Sequence, residues 1–202
     1  MPLQNRVLPT GEIVAHPARG TIMGNRGRIH RDDRTLGGRR WTNHGWVTCA
    51  LSFRGRHRAG MGRGWTELFF LDEAVALAAG HRPCAECRRA DYRHFQAAWR
   101  AAFDEPPTAP TMNARLHADR VARPRHIASL GTLPEGCFIL AGAAPALFNG
   151  GRLHPYSPAG YGPATPADPS AVVPVLTPRC TVEVLRAGYR PMLHPSATEA
   201  PA

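Results

Sequence analysis

Apolar and polar positions alternate along this chain in short bursts rather than long runs, and each burst marks a small element. Residues 1–40 carry little periodicity beyond a β-like piece around Gly11–Ala15, and the stretch MGNRGRIHRDDRTLGGRR reads as an exposed basic arm or loop. The run WVTCALSF (Trp46–Phe53) has the aromatic and β-branched content of a buried strand. A second strand, WTELFFL (Trp65–Leu71), follows a Gly/Arg turn, and the two together predict a hairpin. Asp72 then stands where a helix N-cap belongs, EAVALAA supplies about two turns, and Gly80 supplies a left-handed stop.

Beyond Cys87, Tyr92, Phe95, Trp99 and Phe103 recur at three- and four-residue steps, which predicts one apolar helix face between Cys87 and Phe103. The segment DEPPTAP (104–110) breaks that helix and acts as a linker, and a shorter helix follows from Thr111 to Val121, ended by the approach to Pro124. From Leu133 onward the runs CFIL, ALF and VVPVL, separated by turn residues, predict a small antiparallel β unit. Thr177 and Pro178 open a closing helix to Ala187, and residues 191–202 read as a disordered tail. The pattern as a whole predicts an α+β protein. A hairpin-plus-helix module over 41–103 packs with a helix and small β unit over 111–190.

Composition refines this reading. In a chain of 202 residues, 43 % hydrophobic and 20 % charged positions suffice for a core, while 20 Gly and 20 Pro call for many turns. No apolar run approaches the roughly 18 residues needed to span a bilayer, and the first residues lack a signal-peptide core, so the expected compartment is the cytoplasm. Disulfides are rare there, and the five cysteines are read first as metal ligands or buried thiols. All 25 basic residues are Arg, and the net charge of +10 is lopsided. Residues 1–63 hold 12 Arg against 3 acids, whereas residues 64–202 hold 13 against 12. Such a field points to a polyanionic partner, since guanidinium groups bind phosphates bidentately.

The chemistry concentrates in Pro83-Cys84-Ala85-Glu86-Cys87, a C-x2-C knuckle leading into a helix. Two thiolates at this spacing converge on one tetrahedral ion, and the amides of the turn offset their charge. Redox dithiols share the spacing, but the βαβ context they need is missing, so zinc is the expected cofactor. Cys49 is the third candidate ligand. His44, five positions earlier, is the fourth, in competition with His57 and His81. Cys137 and Cys180 stand alone in apolar surroundings and read as small buried hydrophobes. Around the knuckle, Arg82, Arg88 and Arg89, with Arg54, Arg56 and Arg58 from the loop after Cys49, form a candidate phosphate-gripping face. Arg88 and Arg89 are also placed to pair with Asp91 or Asp72.

The stretch FFLDEAVALAAGHRPCAECRR resembles the metal-binding module of the Ada-type DNA alkylation-repair regulators, over roughly residues 44–90. That resemblance implies a four-ligand zinc site in which Cys84 and Cys87 match the second ligand pair, Cys49 one member of the first, and His44 the other. In the Ada-type module the first pair is two cysteines, one of which accepts a methyl group from a DNA phosphotriester; here it is His44 and Cys49. The resemblance thus implies zinc and DNA more than repair.

Three functions follow as expectations. The first is a zinc-binding, nucleic-acid-binding protein, with DNA as partner and no small-molecule cofactor. The second is a nucleic-acid-processing enzyme, a metal-dependent nuclease or repair activity, with His117 as base and Arg120 as phosphate clamp on one helix face, or His154 with Tyr156. No paired carboxylates, nucleophile elbow or phosphate-cradling glycine loop supports the enzyme. The third is a protein-interaction adaptor whose charge only confers solubility.

Overall fold

A computed structural model of the chain describes residues 1–55, 61, 62, 64–122 and 124–198. Among them, short strands and four α-helices make a mixed α+β fold. One mixed sheet contains β1 (Gln4–Val7), β2 (Ile13–Ala15), β3 (Ile22–Asn25), β4 (Val47–Cys49), β5 (Leu68–Phe70) and β6 (Arg82–Pro83), in the order β2-β1-β5-β3-β4-β6. Further on, β7 (Ile127–Ser129) pairs only with β13 (Val172–Pro174). Between them, β8 (Cys137–Ala141), β9 (Ala144–Asn149), β10 (Arg152–Ser157), β11 (Gly160–Tyr161) and β12 (Thr165–Pro166) form an antiparallel unit; of the runs expected in it, CFIL and ALF supply β8 and β9, whereas VVPVL supplies β13 outside it. The helices are α1 (Glu73–Ala78), α2 (Arg89–Phe103), α3 (Ala109–Val121) and α4 (Arg179–Arg186). No helix among the described residues is long and apolar enough to cross a membrane.

Three expectations are corrected. The predicted basic arm over residues 1–40 supplies β1, β2 and β3, half of the mixed sheet. The predicted hairpin is absent because β3 lies between its two strands, with Met23 opposite Cys49 on one side and Phe69 on the other. Gly24 permits this insertion: a Cβ there would fall 2.4 Å from the Val47 carbonyl oxygen and 2.9 Å from the Phe70 ring. The sequence IMGN is too short and too poor in side chains to show a strand period. The predicted disordered tail is docked as far as residue 198. The His194 amide donates to Asp72 (2.9 Å), the Met192 amide to Glu73 (3.0 Å), and Pro195–Ala197 form one 3-10 turn whose Ala197 is buried. Residues 199–202 lie outside the described set.

At the centre lies α1, EAVALA, with all six residues buried. A helix that is apolar around nearly its whole circumference belongs inside a protein. Its Ala74, Val75, Ala76 and Ala78 join Ile22 and Phe70 of one sheet and Phe138 and Leu147 of the other. Leu77 joins the core formed by Phe95 and Trp99 of α2 with Met112 and Leu116 of α3. The predicted apolar face of α2 is therefore the face that packs. Asp72 caps α1 as expected, accepting from the Val75 amide (3.0 Å), and Gly80 closes it at φ +84. A side chain at Gly80 would also meet Arg120, whose Cδ is 2.8 Å from the Cβ position.

Burial of α1 carries two carboxylates inside. Asp72 is fully buried and also accepts from the Tyr161 hydroxyl (2.7 Å); desolvation pushes its carboxyl above the ordinary range. Glu73 accepts from both terminal nitrogens of Arg88 (2.7 and 2.9 Å) and from the Tyr189 hydroxyl (2.7 Å). Arg88 in turn donates to Asp91 (2.9 Å) and to the Thr48 hydroxyl (2.9 Å). Removing one member of a buried, hydrogen-bonded pair costs about 3–5 kcal/mol. Glu73→Ala and Arg88→Ala are each expected to lower unfolding free energy by that amount in urea titrations, with the double variant losing less than the sum of the two.

Candidate metal centre

Three pieces of chain bring three cysteines together. Cys49 ends β4, which runs parallel to β6 with Val47 opposite Arg82 and Thr48 opposite Pro83. This register sets Cys84 beside Cys49, and the Cys84 amide donates to the Thr48 carbonyl (2.9 Å). The chain then turns, with the Arg88 amide reaching the Cys84 carbonyl (3.2 Å), and delivers Cys87 just before α2. The Sγ atoms of Cys49, Cys84 and Cys87 all lie within 4.8 Å of one another, and each cysteine is half-buried. A tetrahedral thiolate site with bonds of about 2.3 Å has sulfur–sulfur edges of about 3.8 Å, so the set fits zinc.

The electrostatics are those of a ligand cluster. The Cys84 thiol is pulled down to about 5, chiefly by the hydrogen bond from the Cys49 thiol and, against desolvation, by the Cys87 and Glu86 amides. The same contact with Cys84 pushes Cys49 up, with burial adding to it, and burial ahead of the Cys84 charge pushes Cys87 up. Three thiols that resist joint ionisation are ready to exchange protons for a cation. Beside them opens a mainly apolar cavity of about 230 Å³, lined by residues that include Met23, Phe53, Trp65 and Glu86.

His44 does not join the cluster. Its ring stacks on His117, centroids 3.7 Å apart and planes 13° apart, and its carbonyl accepts from Arg120 (2.7 Å). The chain bends at His44 and the Trp46 amide donates back to the His44 carbonyl (3.1 Å), so the extended run that carries Cys49 begins only at Val47. Val47 and Cys49 face the cavity while Trp46 and Thr48 are buried on the other side, and His44 keeps company with Trp46. His81 is fully buried against Arg26 (3.4 Å), away from the sulfurs, and His57 lies outside the described residues.

The arginines divide. Arg54 and Arg89 are exposed. Arg82 is buried, donating to Asn113 (2.9 Å) and the Pro83 carbonyl (3.0 Å), and Arg88 is consumed by Glu73, Thr48 and Asp91, so neither is offered to solvent phosphates. Arg56 and Arg58 lie outside the described residues. His117 and Arg120 do share a helix face and touch (3.3 Å), but Arg120 is buried and holds the Gly80 carbonyl (2.8 Å). Burial, with the Arg120 and His44 charges, lowers the His117 pKa. His154 is buried with its Nε2 at the Asn149 carbonyl (3.2 Å), and Tyr156 packs edge-on against Phe138. Cys137 and Cys180 are buried, as read from the sequence.

Comparison with protein families, curated proteins and solved structures finds no match to this chain. Of what the sequence resemblance implied, the structure brings together Cys49, Cys84 and Cys87, a cluster that could hold a metal ion. What sequence reasoning missed is the contribution of β3, whose Met23 and Asn25 line the cavity; two residues flanking a glycine gave no signal.

Purified protein is expected to carry one zinc per chain. Cys49→Ser, Cys84→Ser and Cys87→Ser should each weaken zinc by more than the about 10- to 100-fold that loss of a supporting group costs, measured by chelator competition. His44→Ala should leave metal content and the number of sulfur ligands unchanged in zinc-edge absorption spectra.

Proposed function

We propose that this chain is a zinc-binding protein that binds nucleic acid, DNA in the first instance, with zinc holding the fold and exposed arginines contacting phosphates. The observation that carries the zinc half is the convergence of Cys49, Cys84 and Cys87 from a strand, a turn and a helix start. Bound there, the ion would tie β4 to β6 and α2, and in small modules such sites supply about 10–16 kcal/mol of folding free energy. Support for the nucleic-acid half is electrostatic. The excess positive charge lies in residues 1–63, and Arg19, Arg28, Arg31, Arg34, Arg39, Arg40 and Arg54 of that segment are exposed. Arg89 adds a further exposed cation two residues beyond Cys87.

A second reading, a hydrolase acting on nucleic acid, is favoured by one feature. The cysteine cluster opens on a cavity that an acidic residue, Glu86, also lines, and a carboxylate is a side chain suited to moving a proton. Zinc would supply Lewis acidity there. Glu86→Gln separates the readings: it abolishes strand cleavage while keeping zinc if the second is right, and leaves binding intact if the first is.

Binding to a 5′-hydroxyl duplex, followed by fluorescence anisotropy, should weaken linearly on a log–log plot against salt, each neutralised phosphate adding about 0.9 to the slope. Arg54→Ala with Arg89→Ala is expected to reduce that slope by about 1.8 without changing the melting temperature. An affinity indifferent to salt and to both substitutions would leave the adaptor as the better account.

A further inference from the structure

A second cavity, of about 380 Å³, shares no lining residue with the first. Four arginines line it, Arg26, Arg40, Arg120 and Arg125, together with Trp41 and Trp46; its one acidic lining residue, Glu12, is exposed and accepts from the Thr10 hydroxyl (3.0 Å). Arg26 is the unusual member. It is 2 % exposed; its Nε meets His81 (3.4 Å) and Nη1 donates to the Gly11 carbonyl (3.1 Å), but the buried Nη2 has no hydrogen-bond partner among the described residues. Its guanidinium carbon sits 4.1 Å from the centre of the Trp46 ring, and that of Arg120 sits 3.9 Å from it.

Two cations gathered over one buried indole are costly unless an anion joins them. Burial and then the Arg120 charge lower the Arg26 pKa to about 9, and burial ahead of all else lowers that of Arg120 to about 9. His81 adds no third cation: burial, followed by the charges of Arg26 and Arg120, pushes its pKa well below the ordinary value, which leaves a neutral ring. The chain keeps Arg26 in place with backbone carbonyl and ring contacts and leaves one donor arm unused.

We infer that this cavity is a binding site for a phosphate monoester of the nucleoside monophosphate class, with Arg26 and Arg40 gripping the phosphoryl oxygens and Trp41 receiving the flat ring. A phosphoryl group offers three oxygens and up to two negative charges, which suits several guanidinium groups better than a single carboxylate does. The volume falls within the roughly 300–1,000 Å³ of small-molecule sites. Trp41, 38 % exposed and edge-on to His117, presents the kind of aromatic surface on which bases stack. Arg120 and Arg125 add positive charge while holding carbonyls of Gly80, His44, Leu176 and Thr10 in place.

The site shares Arg40 with the exposed arginines of the DNA reading but does not rest on that reading, and its ligand has two sources, a free nucleotide or the phosphorylated end of a strand. Titration of the zinc-loaded full chain with adenosine 5′-monophosphate, adenosine and inorganic phosphate, read by tryptophan fluorescence and calorimetry, tests it. The monophosphate should bind at least tenfold more tightly than adenosine, and Arg40→Ala, at an exposed position, should weaken it about tenfold, a loss of about 1.4 kcal/mol. Arg26→Gln should abolish binding, and circular dichroism reports whether that variant folds; Arg40→Glu, which does not threaten the core, tests the same grip by charge reversal. Competition then identifies the source. Displacement of a 5′-phosphoryl oligonucleotide but not a 5′-hydroxyl one by the monophosphate marks a strand end, and tight monophosphate binding without any such competition marks a free nucleotide. Equal affinity for adenosine and its monophosphate, or binding untouched by Arg40→Glu, overturns the inference. Either result leaves the salt response at Arg54 and Arg89 standing, because that assay uses 5′-hydroxyl duplex.

Discussion

The fold depends on satisfying two adjacent carboxylates that the sequence commits to the interior. Asp72 and Glu73 open a helix that is otherwise Ala, Val and Leu, and the apolar surface of that helix leaves it no place but the centre. Once there, both acids need partners away from solvent, and the partners come from several parts of the chain. Glu73 takes Arg88, Tyr189 and the Met192 amide; Asp72 takes Tyr161, the Val75 amide and the His194 amide. Taking charges out of water is expensive, so this cluster is weak evidence for extra stability. It is good evidence for uniqueness: few other arrangements of the chain satisfy so many donors and acceptors together.

The cysteine cluster inherits its geometry from that network. Arg88 directly follows Cys87, and its guanidinium reaches Glu73 on α1 and Thr48 on β4, one residue before Cys49. A single side chain therefore fixes the start of α2 relative to the strand carrying the first cysteine. The parallel pairing of β4 with β6 fixes the second. The three thiols meet because the backbone around each is already held by hydrogen bonds that do not involve sulfur, as preorganised sites require.

Local signals were legible in the sequence where the physics is local. The Asp72 cap, the Gly80 stop, the α2 face and the C-x2-C knuckle each depend on a few neighbouring residues, and each stands where the pattern placed it. Mistaken or silent readings all concern long-range partners. Arg88 and Arg89 are identical letters side by side, yet one is buried on a carboxylate 15 positions earlier and the other faces solvent. Nothing in IMGN announces a strand, because its place between β4 and β5 is granted by what Gly24 lacks. The basic look of residues 23–40 concealed Arg26, whose burial depends on Trp46 and on Arg120, far along the chain. Spacing and resemblance also put His44 forward as a ligand, although its ring stacks on His117, far along the chain.

The long reach of the Asp72 and Glu73 contacts bears on how the chain acquires its shape. Their backbone partners, Met192 and His194, lie 119 and 122 residues later, and β1 pairs with a strand beyond residue 67. A topology so rich in distant pairings has a high contact order and folds slowly, because loop closure must precede the contacts that reward it. During synthesis the helix bearing the two acids emerges well over a hundred residues before its last partners. Asp72 and Glu73 therefore complete their interior set of hydrogen bonds only once Met192 and His194 have been made.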